Sequence, residues 1–189
     1  MSLVVVTAPT AEPLTVEEVQ SWCKATESAE AEIIESLISE ARRHTEVMLG
    51  RSLAPQTLAA RFDSFPCWGF TLERAPVTSI TSIQYVDTNG AAQTLSPSKY
   101  QADLYSEPPR VTPAYGESWP STRCQMNAVT VTYVAGYATP EAVPGPIRRA
   151  IAMLVAHWSE NREAVLVGPS AIEMPMHVRD MLMPWKVWG

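Results

Sequence analysis

"VTSITSIQYVDTNGAAQTLS", residues 77–96, decides the fold class. It is rich in Val, Ile, Thr and Tyr and alternates apolar with polar residues, as half-buried strands do. Asn89-Gly90 lies between "SIQYVD" and "AAQTL" and predicts a two-residue hairpin turn, because both residues tolerate positive φ. Outward from it, "TLAARFDSF" (57–65), "YQADLY" (100–105) and "AVTVTYVAGY" (128–137) have the same character. A β-rich segment is therefore expected over 55–137. Within it "EPPRVTPAYGESWPSTR" (107–123) holds four prolines and one glycine, and reads as an ordered, extended loop rather than strand or helix.

On both sides the period becomes helical. Thr15 is a suitable N-cap with Glu18 three residues on, a capping box, and Leu14 can staple onto Val19. That helix should run to about Ala25. A second begins after "TES", with Ile33, Ile34, Leu37, Ile38, Ala41 and Met48 on one buried stripe, and stops at Gly50. Glu30, Glu32 and Glu35 near its start and Arg42 and Arg43 towards its end complement the helix dipole. After Pro146, suited to a first turn, Ile147, Ala150, Ile151, Leu154, Val155 and Trp158 fall within an arc of roughly 140° at 100° per residue. A last short helix is expected from Pro175 to about Met183. The fold class is then α+β: a small bundle of about four helices with a β-rich insertion between the second and third main helices. Residues 14–50 hold the N-terminal helices, 55–137 the insertion and 144–189 the C-terminal helices and tail, within one domain spanning 1–189.

Composition excludes several functions. The chain has 189 residues, 46% of them hydrophobic, enough for a core, and 16 prolines, which imply stiffened connections. Its net charge is −6, and residues 1–50 carry the whole excess, nine glutamates against Lys24, Arg42 and Arg43. No basic nucleic-acid footprint is present. "MSLVVVTAPTAEP" lacks a positive leader and does not read as a secretory signal, and "AIAMLVA" (150–156) is too short to span a bilayer. Cys23, Cys67 and Cys124 are widely spaced and read as free thiols.

No catalytic template is matched. His157 has no second histidine at ligand spacing, and His44, on the stripe of the second helix, and His177 each stand alone. Elbow, phosphate-loop and dinucleotide motifs are absent. No catalytic residue, metal ligand or cofactor is therefore assigned. What stands out is the tail "EMPMHVRDMLMPWKVWG" (173–189), with four methionines and two tryptophans, residue types favoured where a surface anchors a partner. Met181 and Leu182 suit the domain's own core. Trp185 and Trp188, around Val187 and beyond a Pro184 that stops the helix, suit contact with another protein.

Taken in order, "LTVEEVQSW", "EVMLGRSL", "APVTSITSIQYVDTNGAAQTLSPSKYQ", "PPRVTPAYGESWPSTR", "AVTVTYVAGY" and "VPGPIRRAIAMLVAHWSENREAV" resemble the head-tail connector, or adaptor, proteins of tailed bacteriophages and gene transfer agents, over residues 14–185. The resemblance implies a structural virion protein at the head–tail junction, made in the bacterial host cytoplasm. It would form a ring with itself, typically dodecameric, below the portal protein, extend the DNA channel without specific DNA binding, and dock a stopper or tail-completion protein. It implies no membrane partner. Trp185, Val187 and Trp188 would then face the portal, and Ala152, Met153 and Ala156 a neighbouring subunit, which would explain why the helix after Pro146 is apolar over so much of its circumference. A tail-completion or stopper protein, and a small hydrolase or nuclease using His157 and Glu160, are the alternatives.

Overall fold

The computed structural model describes residues 2–23, 31–160 and 176–188. Among them are four α-helices and two antiparallel sheets, in two compact units. The β unit is built from residues 50–137 together with 1–10 and 187–189, and the helical unit from 11–49 and 138–186.

The β unit contains β1 (Ser2–Thr7), β2 (Gln56–Phe62), β3 (Phe70–Thr71), β4 (Val77–Val86), β5 (Ala92–Thr94), β6 (Tyr100–Asp103), β7 (Arg110–Pro113) and β8 (Val129–Ala135). Five strands form one sheet in the order β1-β2-β8-β4-β5, and three form the other in the order β3-β7-β6. β8 is central and alternates strictly. Val129, Val131, Tyr133 and Ala135 are buried while Thr130, Thr132 and Val134 are half-buried. Tyr133 stands opposite Leu58 of β2 and Ile80 of β4, and its hydroxyl donates to the Glu73 carbonyl at 2.9 Å. Phe70 and Val111 of the small sheet join Leu58, Ile83, Val129 and Val131 in one apolar cluster, so the two sheets share a core.

Two irregularities let β4 follow its partner. Ile80 and Ile83 are three apart, which in a regular strand puts them on opposite faces. A register shift between Ile80 and Ser82 places them opposite Tyr133 and Val131, and both reach the core cluster.

Three sequence expectations change here. The segment "SLVVVT" is a strand, β1, paired with β2 from Ser2↔Arg61 to Thr7↔Thr57, so the β unit is not drawn from the central segment alone. The proline-rich loop contains β7, the middle strand of the small sheet, whose Pro113 lies at the strand's end opposite Tyr100. A four-residue strand needs few donors, and a terminal proline leaves them intact. The hairpin at Asn89-Gly90 is not a two-residue turn. Asp87 N–H donates to the Ala91 carbonyl and Gly90 N–H to the Asp87 carbonyl, both at 2.9 Å, and only Gly90 has positive φ, +89°. This is a three-residue loop that ends in a glycine bulge. The Asp87 carboxylate accepts from Asn89 N–H (2.9 Å) and Ala91 N–H (3.0 Å) and closes it.

The helical unit contains α1 (Val16–Cys23), α2 (Ala31–Leu49), α3 (Gly145–Glu160) and α4 (Met176–Leu182). The capping box is present: Glu18 N–H donates to Thr15 Oγ1 at 3.2 Å and Thr15 N–H to Glu18 Oε2 at 3.0 Å. Leu14 and Val19 are both buried. The end of α1 expected at Ala25, the start of α4 expected at Pro175, and Glu30 lie outside the described residues. On α2 the buried stripe is Ile34, Ile38, Ala41, Arg42, Thr45, Glu46 and Leu49. Ile33 is exposed, Leu37 and Met48 are half-buried, and His44 is exposed rather than on the stripe. Arg42 does more than meet a dipole. It is 3% exposed, and its Nε reaches Glu12 Oε2 at 2.6 Å while Nη1 reaches Glu46 Oε2 at 3.0 Å.

α3 touches all three other helices. That is why Ile147, Ala150, Ile151, Ala152, Leu154 and Val155 are buried, well beyond a single stripe. Much of its apolar circumference is thus covered by the chain's own helices.

Candidate assembly surfaces

Each expected contact residue has a definite place. Val178 and Leu182 of α4 are fully buried and anchor the C-terminal segment, and Met181 is half-buried. A 3-10 turn, Met183–Trp185, follows, with Lys186 N–H donating to the Met183 carbonyl at 3.2 Å. Trp185 and Val187 are half-buried, and Trp188 is 67% exposed. In the β unit, the position a Cβ would take on Gly50 lies 3.5 Å from the Val187 carbonyl oxygen, so Val187 is held against the chain. On α3, Ala152 is 1% exposed and offers no surface, because the chain itself encloses it. The small-residue surface expected there narrows to Met153 and Ala156, both half-buried.

The histidines do not converge. His44 stands edge-on to Trp158, with ring centroids 6.1 Å apart and an interplanar angle of 79°. His157 is half-buried and His177 exposed. Among the described residues, no group of three His, Cys, Asp or Glu side chains could hold a metal, and no helix is long and apolar enough to cross a membrane. Cys67 and Cys124 are exposed free thiols, and the Cys23 side chain lies outside the described residues.

Electrostatics around the helical unit serve cohesion. Burial alone would lower the Arg42 pKa, but the carboxylates of Glu12 and Glu46 outweigh it and raise it. Arg148 donates to the Pro13 carbonyl at 3.1 Å and to Glu18 Oε1 at 2.6 Å. The Thr15 N–H, and then Arg148, hold the Glu18 carboxyl below its ordinary value. In the β unit Arg51, buried, forms a two-point ion pair with Glu107.

Exposed apolar features also lie outside α3 and the C-terminal tail. Val4, Val5 and Val6 of β1 are 41%, 54% and 59% exposed, and Trp68, Tyr105 and Tyr115 are almost fully exposed. Trp68 borders an apolar groove of about 400 Å³ formed with Phe62, Pro66, Phe70 and Val111. Trp119 stacks on Phe65, centroids 4.8 Å apart at 7°. The signal for β1 was present as an uncharged, β-branched run, "SLVVVT". The loop aromatics carry no periodicity, so pattern alone could not mark them.

The head completion protein family matches residues 12–187, and the chain belongs to it. No curated protein matches the chain in sequence. In fold it is similar to a chain in the neck of an empty gene transfer agent (GTA) particle computed with C6 symmetry, at TM-score 0.82 and 22% identity, covering 100% of this chain and 97% of that one. It is similar over the same coverage and identity to chains in the virion of a native GTA particle, at TM-score 0.79, and in the neck of a native GTA particle computed with C12 symmetry, at 0.73.

Proposed function

We propose that this protein is a structural component of a head–tail junction, a connector of the adaptor type that forms a ring below the portal. The observation that carries this reading is the coincidence of fold over the whole chain with chains from particle necks computed with six- and twelve-fold symmetry, in a member of the head completion family. On this reading the helices form a small bundle that carries the β-rich segment as an insertion, in one connector domain. The ring is a dodecamer in the particle. It continues the DNA channel and presents the surface on which a stopper or tail-completion protein docks.

The charge supports passage rather than grip. Each phosphate contact by Lys or Arg adds affinity through counterion release, and in this chain of net charge −6 the 14 Lys and Arg are outnumbered by 20 Asp and Glu. Trp185, Val187 and Trp188 contact the portal, and Met153 and Ala156 a neighbouring subunit.

Electron microscopy of the purified protein, with and without its portal, tests the reading. Rings capping the portal are expected. Binding only to the tail side of an assembled ring would make the protein a stopper instead.

A further inference from the structure

We infer that the ring closes by strand pairing: the outer edge of β1 in one copy receives the outer edge of β5 in the next. This rests on the ring reading above. β1 and β5 are the two ends of the five-stranded sheet, and among the described residues no strand pairs with the far side of either. An open edge presents unpaired N–H and C=O groups that template another strand, and folded proteins blunt such edges with charge or proline. β1 has neither. "SLVVVT" contains no charge and no proline, and Val4, Val5 and Val6 are exposed on both faces of the sheet. β5, "AQT", is likewise uncharged and exposed at all three residues.

The topology selects this pairing over the alternative. A head-to-tail ring joins two unlike patches on each subunit, and one sheet with two open ends supplies both. Four successive antiparallel steps lead from β1 to β5, so the two strands run in the same direction. Rotation about a ring axis keeps each strand's sense along that axis and turns it by no more than the step between subunits, so β1 of one copy meets β5 of the next in the parallel sense. Pairing β1 with β1 would be antiparallel about a two-fold axis and would close as a dimer.

Disulfide trapping tests the pairing in the full-length protein, alone and bound to its portal. With the three native cysteines replaced by Ser, cysteine is placed at Val4, Val5 or Val6 together with Gln93→Cys. Neighbouring strands lie about 4.8 Å apart, within disulfide reach. A covalent ladder from at least one double variant, and none from any single variant, is expected. The uncrosslinked Val5→Glu variant should melt within about 3 °C of the parent, its site being exposed, yet lose rings about tenfold or more. Dimers from a single β1 cysteine, crosslinks to a different neck protein, or rings on the micrographs with no ladder would each overturn the inference while leaving the ring reading intact. Absence of rings with and without portal would remove both.

Discussion

Arg42 shows how one side chain ties distant sequence together. Its guanidinium meets Glu12, thirty residues earlier, at two points and Glu46 one turn later, with side-chain exposure of 4% for Arg42 and 7% for Glu46. Buried ions are tolerated only when paired, so removing one partner is costly. Arg42→Met should destabilise by about 3 kcal/mol in chemical denaturation, and adding Glu46→Gln should recover part of the loss. Asp103 carries a pH dependence. Its carboxylate accepts from Ser106 Oγ at 2.5 Å, Ser106 N–H at 3.1 Å and Arg110 Nη2 at 3.1 Å, and the Ser106 hydroxyl chiefly pulls its pKa down to about 2. A carboxyl whose folded pKa lies below its unfolded value stabilises above the unfolded pKa, and that contribution is lost as pH falls. The loss should span about pH 4 to about 2. Stability followed by denaturation across that window should fall less steeply in Asp103→Asn than in the parent.

Among elements, legibility depended on whether the cause was local. The capping box at Thr15 and the strict alternation of β8 are set by neighbours in sequence, and both stand as read. β7 was hidden because the prolines around it break the pattern without breaking the strand, and β1 because its partner, β2, begins some fifty residues later. The pattern after Pro146 suggests one side packed on the chain itself and Ala152, Met153 and Ala156 turned towards a neighbouring subunit. Periodicity cannot show that three helices surround α3, so Ala152 was placed on a surface it does not have. Gly136 was missed for the same reason. It has φ +114°, and a Cβ there would lie 2.2 Å from the Ala54 carbonyl oxygen, backbone that cannot step aside. Gly136→Ala should therefore cost about 3 kcal/mol or more, seen as a lowered melting temperature, although the change adds one methyl group.

For the whole molecule the tail and α3 are the places where assembly can be separated from folding. Deleting residues 184–189 removes Trp185, Val187 and Trp188 but leaves Val178 and Leu182 in the core, so the truncated protein should fold and fail to bind the portal in a pull-down. Unchanged portal binding would reassign the tail. On α3, Ala152 and Ala156 are one helical turn apart, yet the first is enclosed and the second half-buried. A carboxylate at Ala152 would be buried unpaired, so Ala152→Glu should fail to fold. At Ala156 the side chain can reach water in the isolated subunit, so Ala156→Glu should retain the parent's circular dichroism and melt within a few degrees of it. If a neighbouring subunit packs there, the same charge is desolvated on assembly, and the ring fraction measured by sedimentation should fall about tenfold or more. Normal rings from a folded Ala156→Glu protein would remove Met153 and Ala156 from the subunit interface and leave the sheet edges to hold the ring together.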